Sequence, residues 1–207
     1  MDTAKTIKVT AVVGTYRKGG AIDLVTEELL GAARERGAVT DTIYLIDEPI
    51  EFCTNCRACT QQEGDSRGKC VQKDGMEALL ERIDAADALV VASPMNFYSM
   101  TAVTKRFLER LICEAYWPWG MAAPKFRNPH PRKPAVILAT SAAPGFMARW
   151  QSGFLFLLRK LTRTLGGKPV GNLFVGLCSM KKQPRISERV KRKARTLGAR
   201  LVERAER

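Results

Sequence analysis

Five short runs of aliphatic and β-branched residues recur along the chain, each followed by a helical pattern, and this alternation constrains the fold more than any other feature. The runs are Ile7–Val13, Val39–Ile46, Ala88–Ala92, Ala135–Thr140 and Val170–Leu177. Their largely apolar character is that of parallel strands buried on both faces. Between the first two, Ala21–Arg36 sets Ile22, Val25, Leu29, Ala32 and Ala33 on one helical face, and Gly37 follows as a C′ residue would. Further helices are expected over Met76–Ala85, which Asp74 can cap, over Thr101–Cys113, over Phe146–Leu165 before Gly166-Gly167, and after Ser187. Strand–helix alternation implies right-handed βαβ units. The expectation is an α/β three-layer sandwich, a five-stranded parallel sheet in the order 2-1-3-4-5 with helices on both faces.

A chain of 207 residues suits one domain, 1–207, with a Cys-rich loop at 51–74 and a basic C-terminal segment at 181–207. A chain of this size buries roughly 70–75 % of its unfolded surface and needs no disulfides. No apolar run approaches the roughly 20 residues that span a bilayer. The start, Met1-Asp2-Thr3-Ala4-Lys5, lacks the basic and apolar regions of a signal peptide, so a cytoplasmic location is expected. The net charge is +13. Residues 181–207 hold eleven basic and three acidic side chains, leaving +8 of that charge there and +5 elsewhere. Val190, Ala194, Leu197 and Leu201 give the last helix a packing face. Its cations then read as a solvated surface, not a specific reader of nucleic acid.

In such a sheet ligands bind beyond the carboxyl ends of the strands, where strand order reverses. The loop after the first strand, Gly14-Thr15-Tyr16-Arg17-Lys18-Gly19-Gly20-Ala21, leads into a helix N-terminus. Free N–H groups, a hydroxyl and two cations make it an anion site. It is neither a Walker A loop nor a dinucleotide fingerprint. The loop after the third strand, Ser93-Pro94-Met95-Asn96-Phe97-Tyr98-Ser99-Met100, offers apolar and aromatic surface to a flat ring. The loop after the fourth, Thr140 to Gly145, is small enough to let a ring approach the backbone. Phosphate at the first loop with a ring between the other two describes a mononucleotide, and favours FMN over a dinucleotide.

Four of the six cysteines fall in Cys53-x2-Cys56-x2-Cys59-x10-Cys70. In a chain without secretory features, clustered cysteines read as metal, cluster or redox sites before disulfides. Three thiolates at this spacing can wrap one face of a [4Fe–4S] cubane, and a fourth can close it. Redox-active or structural thiols, and zinc, are the other readings, though C-x2-C-x2-C is not a usual zinc pairing. Cys113 and Cys178 adjoin apolar segments and read as small buried hydrophobes.

Residues Gly14–Gly20, Cys53–Cys70 with Lys73-Asp74-Gly75-Met76, and Ser93-Pro94 through Lys105, Phe107 and Arg110 resemble the NAD(P)H-dependent FMN reductases of the flavodoxin-like superfamily. Within them they resemble the iron–sulfur flavoprotein group. The resemblance is good over roughly residues 7–111 and elsewhere extends only to element order. It implies FMN with its phosphate at Thr15, Arg17 and the turn from Gly19 to Ile22, and its ring against Pro94, Met95, Asn96 and Phe97. Lys18, Gly20, Ala21, Ser141 and Gly145 complete the expected cofactor-binding set. It also implies a homo-oligomer, such as a homodimer, with flavin near the subunit contact. Cys53, Cys56, Cys59 and Cys70 are the expected ligands of any cluster. The chain departs from the family at Ala21 and Ile22, where Asn-Thr usually helps hold the phosphate, at Asn96, often aromatic, and in the long Cys59–Cys70 gap.

Three functions compete. The first is an FMN-dependent oxidoreductase drawing on NAD(P)H to reduce a flavin- or quinone-type acceptor. The second is an electron-transfer flavoprotein fed by a protein such as ferredoxin, with the cysteines as relay. The third is a binding module using its basic helix on nucleic acid or an acidic surface. His130, the single histidine, stands in a prolyl loop, which argues against Ser-His or Cys-His hydrolysis and not against flavin chemistry. The aromatic run Tyr116-Trp117-Pro118-Trp119 either packs within its long loop, covers the flavin or forms a subunit contact, and Phe154 to Leu158 are expected to form a buried helix face.

Overall fold

A computed structural model describes residues 5–127, 130–147, 153–180 and 183–207. Residues 1–4 of the chain start, 128 and 129 before His130, 148–152 of the fourth expected helix, and Lys181-Lys182 of the basic segment lie outside the described residues.

The main sheet holds β1 (Lys8–Val13), β2 (Val39–Tyr44), β3 (Ala88–Asn96), β7 (Lys133–Thr140) and β8 (Gly167–Val175), in the order β2-β1-β3-β7-β8. Its pairings are all parallel, Val9 opposing Ala88 and Leu89 opposing Ala135, for example. This is the expected 2-1-3-4-5 order. The chain reverses between β1 and β3, so the crevice at their carboxyl ends is where the fold offers a ligand site.

Strand side chains alternate between two cores, as a pleat requires. Val9, Ala11 and Val13 of β1, with Val90 and Leu138, meet α1 (Ala21–Glu35) and the last helix, α5 (Glu188–Ala205). Leu89, Val91 and Ile137 face α2 (Met76–Asp84), α3 (Ala102–Arg110) and α4 (Phe154–Thr164). All five residues expected on the apolar face of α1 are buried. Helix α5 lies directly on α1, where a Cβ at Gly198 would stand 2.2 Å from the Leu29 carbonyl oxygen. Ser187 caps α5 through the Val190 N–H, and Gly37 and Gly166 close α1 and α4 with φ of 81° and 75°. No helix among the described residues is long and apolar enough to cross a membrane.

Several boundaries differ from the sequence expectation. Strand β3 continues through Pro94 to Asn96 and turns back into β4 (Ser99–Met100), so the segment 93–100 is a hairpin and not a free loop. Pro94 is tolerated because it stands at the last register position against β7. The long loop from Tyr116 contains a second small sheet, β5 (Ala115–Tyr116) with β6 (Lys125–Phe126). Helix α3 ends at Arg110 and passes into a 3-10 turn over Leu111–Glu114. Phe154 and Leu158 are buried as expected, whereas Phe156 is largely exposed.

Candidate functional site

The loop between β1 and α1 is fixed from beneath. The Gly14 N–H donates to Ala92 O at 2.8 Å, and Gly14 O accepts from Thr101 Oγ1 at 2.7 Å. A Cβ at Gly14 would sit 1.7 Å from Thr104 Oγ1, so only glycine lets the loop lie this close to α3. Above it, Thr15 Oγ1 accepts from the Arg17 N–H at 3.2 Å, and Gly19, at φ 75°, turns the chain toward α1. That helix points its N-terminal N–H groups, the positive end of its dipole, at the same crevice.

A groove of about 340 Å³ opens there. Thr15, Arg17, Gly20, Ala21 and Ile22 form one side, Pro94, Met95 and Asn96 another, and Ser141 a third. These are most of the residues singled out from sequence for a cofactor. Three stand off it. Lys18 pairs with Asp47 at 2.5 Å, Phe97 sits at the hairpin tip, and Gly145 packs near Phe174 and Gly176. The groove also takes in Tyr16 and Thr140 from the first and fourth loops, and Cys178 and Ser179, which sequence reasoning left out of the site. Cys178 is therefore half-buried at the groove and not the fully buried hydrophobe expected. Burial still pushes its thiol up.

Asp23 complicates the anion site. Its Oδ2 accepts from the Gly19 N–H at 2.5 Å, and the carboxylate also takes the Gly20 N–H. Two amides of the turn thus already serve an acid, whose own pKa burial raises. Asp23 Oδ1 is buried with no hydrogen-bond partner among the described residues. Other groups at the turn fit a phosphate: the start of α1, the Thr15 hydroxyl and the Arg17 guanidinium. The apolar wall of Pro94 and Met95 fits a flat ring.

The second assembly is the cysteine loop. Cys53, Cys56, Cys59 and Cys70 line one cavity of about 20 Å³, roughly one water in size. The backbone turns between them through Asn55 and Arg57, at φ 55° and 59°, a left-handed conformation that L-residues reach at a cost, and leaves Cys59 buried, Cys53 half-buried and Cys56 and Cys70 exposed. The sulfurs collect N–H donors: Asn55 N to Cys53 Sγ at 3.4 Å, Ala58 N to Cys56, and Arg110 Nη2 to Cys70 Sγ at 3.7 Å. The Ala58 N–H, with Thr54, lowers the Cys56 pKa, while burial raises that of Cys59 and pushes the deeper Cys113 up to about 12. Sulfurs that accept N–H groups suit metal-bound thiolate. Among the described residues no group of three or more His, Cys, Asp or Glu stands in metal-holding positions. In donor chemistry alone, four cysteines around one cavity fit a thiolate centre.

The model of the NADPH-dependent FMN reductase family matches residues 7–178. An iron-sulfur flavoprotein of Methanosarcina thermophila is 32 % identical over 106 residues, 51 % of this chain and 53 % of that protein. One from Archaeoglobus fulgidus is 27 % identical over 112 residues, 54 % of this chain and 49 % of that one. The chain spans about half the length of the curated relatives it matches. Among solved structures, an FMN-dependent NADH-azoreductase from Bacillus anthracis in complex with FMN superposes with a TM-score of 0.69. It is 9 % identical, and the match covers 94 % of this chain and 99 % of that one.

Proposed function

Because the chain belongs to the NADPH-dependent FMN reductase family, we propose that it binds FMN in the groove at the carboxyl ends of β1, β3 and β7 and passes electrons through it from NAD(P)H to a small flavin- or quinone-type acceptor. The observation that carries this is the convergence of an anion-binding turn and an apolar wall on one groove at the sheet's reversal point.

The residues divide the work. Arg17 and the N-terminus of α1 hold the phosphate, and Thr15 keeps the turn in shape through its bonds to Arg17. Pro94, Met95 and Asn96 carry the ring on the rigid end of a central strand, the placement that keeps a site precise. Thr140 and Ser141 close the far side at the end of β7. Bound FMN would supply the two-electron chemistry, which the protein serves by position, electrostatics and exclusion of water. Among the described residues no histidine lines the groove, so protons exchange with water or hydroxyl groups. Titration of the protein with FMN, followed by quenching of flavin fluorescence, tests the site, with NAD(P)H oxidation monitored alongside. Failure to bind FMN at high micromolar concentration ends the proposal.

The cysteine cavity supports a second reading, in which a metal–thiolate centre at Cys53, Cys56, Cys59 and Cys70 relays electrons from a protein donor such as a ferredoxin. Anaerobic preparation with iron and sulfide assay tests the centre. Reduction of bound FMN by reduced ferredoxin but by neither pyridine nucleotide would favour this reading over the first. A homodimer in a cytoplasmic setting accompanies both, and sedimentation of the FMN-loaded protein tests the dimer.

A further inference from the structure

Guanidinium groups surround the cysteine loop in greater number than buried carboxylates do. Arg110, 3 % exposed, donates to both oxygens of Asp74, to Glu51 O and to Cys70 Sγ. Arg127, 8 % exposed, donates to Gly64 O at 2.9 Å, Gln62 O at 2.8 Å and Cys59 O at 3.3 Å. Arg57 lies between the rings of Trp117 and Trp119, its guanidinium carbon 3.9 and 4.2 Å from their centroids, and donates to Trp117 O. Neither Arg57 nor Arg127 forms an ion pair among the described residues, and the Nε of each is buried without a partner. Arg67 is already answered by Glu114 and Asp84. The remaining loop charges, Glu51, Glu63 and Asp65 against Lys69 and Lys73, lie toward water.

Buried cations without counter-charge are costly, and carbonyl oxygens alone offset them only in part. Arg110 meets the carboxylate of Asp74 and Arg67 those of Glu114 and Asp84, whereas Arg57 and Arg127 bring two positive charges with no carboxylate partner among the described residues. Four thiolates around a divalent ion, or around a doubly positive four-iron core, carry an excess of two negative charges. We propose that Arg57 and Arg127 are positioning residues that balance the charge of an anionic metal–thiolate centre on the four loop cysteines, with Arg110 completing the collar at Cys70. This rests on the second reading above, that the cysteines hold such a centre.

The test uses the full chain, reduced and metal-free, titrated anaerobically with Co2+ and followed by the thiolate-to-cobalt absorbance. Arg57→Met and Arg127→Met are compared with Arg57→Lys and Arg127→Lys. Each Met variant is expected to bind Co2+ about tenfold more weakly, the usual scale for groups behind the ligands. Each Lys variant should stay within about threefold of the parent. After reconstitution with iron and sulfide, the reduction potential should move negative in the Met variants and hold in the Lys variants. Lysine keeps the charge but cannot reproduce the guanidinium fork, so a merely structural role would make Lys and Met equally harmful. That result would overturn the charge-balancing role while leaving the metal centre intact. A parent protein that takes up neither Co2+ nor iron and sulfide would overturn both. If Arg127→Met fails to fold, seen as loss of FMN binding, the more exposed Arg57 pair of variants decides the outcome.

Discussion

Arg110 Nη1 lies 2.5 Å from Asp74 Oδ2 and Nη2 3.0 Å from Oδ1, a two-pronged pair between residues 36 positions apart. Asp74 also accepts from the Glu51 and Met76 N–H groups. The pair therefore ties both ends of the cysteine loop and the start of α2 to the end of α3. The Arg110 hydrogen bonds, foremost, hold the Asp74 pKa at about 2.

That depression sets a pH dependence. A carboxyl whose folded value is depressed stabilises fully above its unfolded value near 3.9, and the contribution disappears as pH falls through about 2. The shift corresponds to about 2 kcal/mol. Asp74→Asn should cost more at neutral pH, about 3–5 kcal/mol, because it leaves Arg110 buried and unpaired. Urea unfolding at neutral pH and near pH 3 checks both. The gap between parent and variant should narrow in acid, and a gap independent of pH would refute the pairing.

Gly14→Ala should be severe for so small a change. The added Cβ meets Thr104 Oγ1 at 1.7 Å, and Thr104 is buried against Thr101 and Ser93. Overpacking of this kind costs about 1–3 kcal/mol. The loop can only escape by lifting, which would also raise the Kd for FMN. Thr104→Ser combined with Gly14→Ala keeps the hydroxyl in place and should not rescue, whereas Thr104→Ala should recover part of the stability.

Arg17→Ala tests the phosphate assignment. It should weaken FMN by about 1.5–3 kcal/mol, the scale of a charged hydrogen bond. Turnover at saturating FMN should stay close to the parent if, as proposed, Arg17 meets the phosphate and not the ring. Loss of turnover with unchanged affinity would place Arg17 at the reacting end instead.

These expectations show what the chain disclosed and what it hid. The sheet order was legible because Val9, Val90 and Val136 belong to apolar runs separated by helical patterns with recognisable glycine ends. The turn from Thr15 to Ile22 was legible for the same local reason. Asp23 was not: it reads as an ordinary first-turn acid, and its bond to Gly19 exists only once the turn has formed. The arginines at 57 and 127 were equally silent, since their partners are carbonyl oxygens and rings far along the chain. The hairpin at 97–98 was missed because its two aromatic residues carry no turn signal.

Asp23→Asn should tighten FMN binding. The carboxylate faces the turn where phosphate is expected, and removing its charge is worth roughly 0.3–1 kcal/mol, as for other charges at helix ends. Burial holds Asp23 above the usual carboxylate range. Affinity of the parent should therefore decline as pH rises through that raised value, while the Asn variant lacks this component. Phosphate's own ionisation, near pH 6, affects both proteins alike. The ratio of their Kd values, measured from about pH 4 to 7, isolates Asp23. A constant ratio would mean the acid lies outside the field of the ligand.

Phe97 and Tyr98 form the two-residue turn of the β3–β4 hairpin at φ 44° and 62°. Positive φ at both positions is the turn that an Asn-Gly pair ordinarily fills. A bulky side chain held there costs on the order of 1–2 kcal/mol. Burial does not repay it, since Phe97 is 100 % exposed and Tyr98 largely so. Folding alone would not choose these residues, and strain of this kind gathers at sites of function. Met95 and Asn96, the residues just before the turn, line the groove, so the turn sets their angle. The double substitution Phe97→Asn with Tyr98→Gly, which installs the residue types this turn prefers, should therefore stabilise the fold by about 1 kcal/mol in urea unfolding. The same variant should bind FMN at least threefold more weakly. Stability and affinity moving in opposite directions is the signature of strain kept for function. A variant less stable than the parent, or one equally strong in FMN binding, would return the turn to a structural role.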